Sequence, residues 1–211
     1  MKTRSKTLLT TVLGVAMLSM LAAMGPGDAK GDDAKAKVGE AAPNFTLKSA
    51  SGKTHSLKDF KGKIVVLEWI NPDCPYVVAQ YDKKRIHNSM KAVKDIDKDV
   101  VWLTINTTHY TTPEQNKKWM EKYDLKQDVL LDNDGAVGKM YGAKTTPHMY
   151  VIDKEGKLRY HGAYTNDARA NKSDAEMTDY VINAVRQIAN DETVAPDHVK
   201  PWGCSVKYAR K

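Results

Sequence analysis

Apolar residues in this chain fall into short dense runs that alternate with stretches at helical spacing. Val38-Gly39-Glu40-Ala41-Ala42-Pro43-Asn44-Phe45-Thr46-Leu47 ends in a short alternating strand, and Ser51-Gly52-Lys53 turns it into a hairpin. Leu57–Lys63 reads as a short helical turn closed by Gly62. Ile64–Ile70 is almost wholly apolar, as a central strand buried on two faces must be. Pro75 opens a helix predicted to run to about Asp95, with Val77, Val78, Tyr81, Ile86, Met90 and Val93 as its apolar face. Val100–Ile105 reads as a second buried strand, and Thr112-Pro113-Glu114 caps a helix reaching Tyr123. A short strand at Val129–Asp132 and a helix from Ala136 to Tyr141, stopped by Gly142, come next. His148–Asp153 and Lys157–His161 flank Glu155-Gly156 as a second hairpin, and Asp174–Ala189 is predicted as the last helix.

Strands alternating with helices predict an α/β fold, a central mixed sheet flanked by helices, with an N-terminal β-hairpin extension. The expected domain spans residues 38–190. Residues 191–211 hold Pro196, Pro201 and Gly203 and are expected to be an irregular tail. Before the domain, Lys2, Arg4 and Lys6 precede a mostly apolar run from Leu8 to Met24 that Gly25-Pro26-Gly27 breaks. That is the pattern of a secretory signal peptide, assigned to residues 1–29, and its alternative is an uncleaved membrane anchor. Residues 30–37 are expected to be a flexible leader.

The net charge is +7, but three of those charges lie in the signal segment and the other lysines are scattered. A dispersed basic surface with few aromatics argues against nucleic-acid binding. Contact with a membrane is expected only through the signal segment, if it is retained. The expected location is secreted or periplasmic.

Cys74 carries the strongest chemical signal. It sits where an apolar strand passes through Asn71-Pro72-Asp73 into a helix opened by Pro75. Unpaired N–H groups and the positive end of the helix dipole favour a thiolate there. The other cysteine, Cys204, lies 130 positions later in the tail. In an exported chain the two cysteines form either a disulfide or an attacking thiol and its resolving partner. A static bridge would add roughly 4–5 kcal/mol by the chain-entropy argument. The third alternative is a Cys204 thiol that faces another protein.

The motifs resemble the redoxin (AhpC/TSA-like) family, the branch of the thioredoxin fold that includes peroxiredoxins and TlpA/ResA-type thiol reductases. Gly39-x3-Pro43-x-Phe45-x-Leu47, Gly52-Lys53, Leu57-x2-Phe60-x-Gly62-Lys63, the strand ending in Cys74, Thr146-Pro147 and Val151-Ile152-Asp153-x2-Gly156 carry the likeness over about residues 38–165. Peroxiredoxins place Pro and Thr at the positions held here by Leu67 and Asn71, and thioredoxins a second cysteine at Val77. The pattern is most similar to a peroxiredoxin-like group with a single active-site cysteine. The resemblance implies a thioredoxin-like fold and a thiol–disulfide oxidoreductase with Cys74 attacking and Cys204 as candidate resolving cysteine. The substrate is then a protein or small-molecule thiol or disulfide, the electrons come from a separate dithiol donor, and no cofactor is needed.

Glu68 lies six positions before Cys74, where thioredoxins keep a buried acid that relays protons. A carboxylate on an apolar strand should have a raised pKa, unless it faces outward or pairs with a lysine. Thr146-Pro147 resembles the family position of a cis-proline opposite the thiol. Thr146, Pro147, Pro75 and Tyr76 form the expected substrate-binding set. Two rival functions stand beside this one. The first is a peroxiredoxin-like peroxide reductase. The second is a non-catalytic adaptor or copper-handling module, with Cys74, His148 and Met149 as the soft ligands; the favoured reading has no metal site.

Overall fold

The computed structural model describes residues 35–210. The expected signal segment lies outside them. Ala36, inside the expected flexible leader, is instead fixed: its N–H donates to the Met140 carbonyl at 3.0 Å, and its methyl packs on the core.

Ten strands and five α-helices follow in chain order: β1 (Thr46–Ser49), β2 (Thr54–Ser56), β3 (Val65–Ile70), α1 (Pro75–Asp82), α2 (Arg85–Ile96), β4 (Val101–Asn106), α3 (Pro113–Lys122), β5 (Val129–Leu131), α4 (Ala136–Tyr141), β6 (Thr145–Thr146), β7 (His148–Ile152), β8 (Leu158–Gly162), α5 (Tyr180–Ala189), β9 (His198–Val199) and β10 (Cys204–Ser205). A 3-10 turn covers Leu57–Phe60. Eight strands form one mixed sheet in the order β2-β1-β5-β4-β3-β7-β8-β9, and β10 pairs with β6 in a separate ladder. β3 is central, parallel to β4 and antiparallel to β7.

All six residues of β3 are buried. Because successive side chains point to opposite faces, Val66 and Ile70 enter one core and Val65, Leu67 and Trp69 the other. The first core collects Cys74, Val77, Tyr81, Ile86, Trp119 and Val185 from α1, α2, α3 and α5. The second takes Leu57, Val137 and Tyr141.

Two helix expectations need correction. The helix from Pro75 breaks at Lys84, which adopts a left-handed φ of 55°. Tyr81 and Ile86 are five positions apart, too far for one helical face, and the break re-phases the chain so that each reaches the core. The last helix starts at Tyr180, not Asp174. Asp179 caps it, accepting from the Ile182 N–H at 2.8 Å, while Ser173 and Glu176 bond each other in the loop before it.

The tail carries β9 and β10 and is docked along its length. β9 runs parallel to β8, with His198 opposite His161. The Trp202 indole N–H donates to the Thr165 carbonyl at 2.6 Å, and the Tyr208 hydroxyl to Ala143 at 2.8 Å. The Tyr208 ring lies over Gly135 and Gly138; a Cβ at Gly138 would come within 2.8 Å of its hydroxyl. Among the described residues no helix is long and apolar enough to cross a membrane.

Candidate active site

The turn after β3 is built by Asn71. Its side-chain oxygen accepts from the Asp73 N–H, and its carbonyl from the Cys74 N–H, each at 2.9 Å. Cys74 is thereby set as the N-cap of α1, with Pro75 in the first turn. The thiol is 1% exposed and donates to the Thr146 carbonyl at 3.1 Å. The Thr146–Pro147 peptide bond is cis.

Cys204 reaches the same point from the other end of the chain. β10 pairs antiparallel with β6 in a register that sets Cys204 opposite Thr146. Both cysteines are free thiols, Cys74 buried and Cys204 half-buried. Burial alone would raise the Cys74 pKa. The Cys204 thiol, Thr146 and the N–H groups of Val77 and Cys204 outweigh it, and the net shift is downward. Val77, in the position of the missing second cysteine, thus contributes its backbone. Cys204 moves the opposite way: burial and then the neighbouring Cys74 push it up to about 11. The pair is asymmetric, one sulfur disposed to ionise and the other to keep its proton.

Glu68 faces inward with no exposure, on the side of the sheet that carries Cys74. The Trp102 indole N–H donates to it at 2.9 Å, and the Tyr81 hydroxyl lies 3.0 and 3.1 Å from its two oxygens. Burial raises its pKa to about 7, although Trp102, Tyr81 and Thr104 each favour the charged form. It has no cationic partner among the described residues; the lysine-paired alternative is not what the fold builds.

Of the expected substrate-binding set, Thr146 and Pro147 lie at the thiols. The Tyr76 ring stands 6.3 Å from that of Trp202. Pro75 and Tyr76 also line an open groove of about 400 Å³ with Ala79, Ala168, Arg169 and Asn171. The buried Thr146 hydroxyl has no hydrogen-bond partner among the described residues. The copper set does not assemble. Met149 joins the core of Cys74, but His148, its neighbour on β7, points to the other face and stacks near Tyr150 and His161. Burial and the other histidines lower the His148 pKa to about 3.

Sequence reasoning missed Tyr81, Trp102, Trp202 and Gly203. Trp102 shares a face of β4 with Thr104, which pairs with Glu68 in the ladder, so the parallel register could have found it. No local pattern announces Trp202 and Gly203, because their roles depend on where the tail docks.

The AhpC/TSA family profile matches residues 38–161. The chain belongs to this family. It is 33% identical over 131 residues to the thiol-disulfide oxidoreductase ResA of Bacillus thuringiensis subsp. konkukian (strain 97-27), covering 59% of this chain and 68% of the relative. It is 29% identical over 160 residues to the chloroplastic peroxiredoxin Q of Triticum aestivum, covering 71% and 68%. An uncharacterized conserved protein of Geobacillus kaustophilus superposes with a TM-score of 0.69 at 26% identity, covering 83% of this chain and 94% of that one. The fold of this AhpC/TSA member is thioredoxin-like.

Proposed function

We propose that this AhpC/TSA-family chain is an extracytoplasmic thiol–disulfide oxidoreductase in which Cys74 attacks and Cys204 resolves. One observation carries the reading. Cysteines 130 positions apart converge on Thr146, one bonded to its carbonyl and the other in strand register with it. The Cys74 thiolate attacks one sulfur of a substrate disulfide. That S–S bond breaks, a mixed disulfide forms, and the leaving sulfur takes a proton. Cys204 then loses its proton and attacks the Cys74 sulfur. The substrate leaves as a thiol, reduced by two electrons, and a Cys74–Cys204 disulfide remains. A separate dithiol donor returns it to the two thiols.

Glu68, with a pKa of about 7, is the group suited to hold and return a proton behind the thiols at neutral pH. Thr146, Pro147, Pro75 and Tyr76 are the surfaces on which the substrate sulfur and its flanks would rest. The basic and apolar pattern of residues 1–29 supports export.

Insulin-disulfide reduction tests the assignment. Cys74→Ser should abolish it, and Cys204→Ser should trap a mixed disulfide that mass spectrometry detects. Full activity in Cys74→Ser overturns the proposal. The peroxiredoxin Q relative supports a second reading. In it, the Cys74 thiolate attacks a hydroperoxide, the O–O bond breaks, the far oxygen takes a proton and leaves as an alcohol or water, and a sulfenic acid forms; the Cys204 thiol condenses with it to a disulfide, releasing water. Asn71 stands where that chemistry expects Thr, and its side chain is committed to the turn. Fast peroxide-dependent sulfenylation of Cys74 would favour this reading over the first.

A further inference from the structure

Cys74 is buried, and the chain's own last strand lies beside it. β6 is two residues long, and the strand paired with it is β10. A bare edge of this kind offers its backbone N–H and C=O groups to any extended segment, with affinity from the main chain and selectivity from side-chain pockets. Here Cys204 and Ser205 take that edge, opposite Thr146 and Thr145. The Val206 N–H extends the contact to the Lys144 carbonyl at 3.1 Å. Before the cysteine stands Gly203, with φ of 119°, and any Cβ there would overlap the Thr146 carbonyl oxygen. On the path the tail takes to bring its sulfur to Cys74, the residue immediately before that cysteine therefore has to be a glycine.

Resting on the oxidoreductase reading above, we propose that residues 203–205 are a built-in copy of the substrate: an extended polypeptide with glycine directly before its disulfide-bonded cysteine, which reacts by exchanging places with the tail. The incoming strand displaces β10 and sets its cysteine opposite Thr146. Cys74 attacks that sulfur, the substrate S–S bond breaks, and the other half leaves as a thiolate that solvent protonates. The tail then returns to its edge. Its Cys204, deprotonated, attacks the Cys74 sulfur, and the substrate departs as a thiol from the strand position the tail reclaims. Resolution and product release are one event, and the external dithiol closes the cycle.

The test uses the full chain and two peptides, Pro-Trp-Gly-Cys-Ser-Val-Lys and the same sequence with valine for glycine, each carrying glutathione in mixed disulfide on its cysteine. The glycine peptide should show a kcat/KM at least tenfold higher, carried mainly by KM. Equal values overturn the template. A Gly203→Val chain supplies the converse. Its tail competes poorly, so KM for the glycine peptide should fall severalfold while the mixed disulfide on Cys74 accumulates in quenched-flow mass spectra. An unchanged KM with no accumulation overturns strand exchange. Cys74→Ser and Cys204→Ser run in parallel separate the two levels. If Cys74→Ser loses turnover and Cys204→Ser traps the adduct while the two peptides react alike with the native chain, only the template fails. If Cys74→Ser still reduces the glycine peptide, the oxidoreductase reading fails with it.

Discussion

The two cysteines meet at one carbonyl, yet they are delivered by opposite kinds of structure. Cys74 caps α1 just after a six-residue strand buried on both faces at the centre of an eight-stranded sheet. Cys204 sits on a two-residue strand in a tail held by a handful of hydrogen bonds and two aromatic anchors. Redox pairs need this inequality. The attacking sulfur works best where N–H groups are fixed around it, because fixed dipoles favour a thiolate without having to reorganise. The resolving sulfur must leave and return, so its seat must have a low opening free energy.

The contrast can be broken from the rigid side first. Trp69→Ala removes a fully buried indole that packs on Tyr141 and Tyr150 and bonds Thr107 at 2.9 Å. It should cost about 3–5 kcal/mol in denaturant unfolding. A loss below about 1 kcal/mol would mean the central strand is less committed than its burial implies.

Next comes the buried acid on β3. At pH below 4.5, folded and unfolded Glu68 both hold a proton; between 4.5 and about 7 only the folded carboxyl does; above that it is charged in the core. A raised carboxyl pKa therefore stabilises the fold at low pH, and this contribution is lost as pH rises through that window. At about 1.4 kcal/mol per pH unit the loss is about 3 kcal/mol. Glu68→Gln should gain about that much relative to the native chain between pH 4 and pH 8 by chemical denaturation. A constant difference across that range would show that Glu68 does not titrate there.

The smallest global effect should come from the tail. Trp202→Ala should cost only about 1 kcal/mol in unfolding, yet raise the alkylation rate of the buried Cys74 by tenfold or more. The same alkylation rate with the same stability would mean that the tail does not gate the thiol.

Legibility in the sequence follows the same divide. The central strands and the start of the helix at Pro75 are written in local patterns, since burial on two faces demands continuous apolar residues, whereas the direction in which Glu68 faces is not. The early end of α1 was not, because a five-residue gap from Tyr81 to Ile86 can be read as an imperfect stripe or as a break. The tail reads as irregular because two-residue strands have no period to detect. What orders it is a backbone edge at Thr145–Thr146 sixty positions away in sequence, visible only once the sheet is built.

The seat of Tyr208 on Gly135 and Gly138 gives the molecule a remote control point. A methyl group added at Gly138, on α4, stands against the Tyr208 hydroxyl and the Thr107 hydroxyl oxygen at 3.0 Å. Such a change would loosen the last turn of the tail from a distance and leave both cysteines in place. For anyone engineering this scaffold, reactivity at Cys74 could be adjusted from α4, with substitutions graded by volume, without altering an atom of the thiol chemistry.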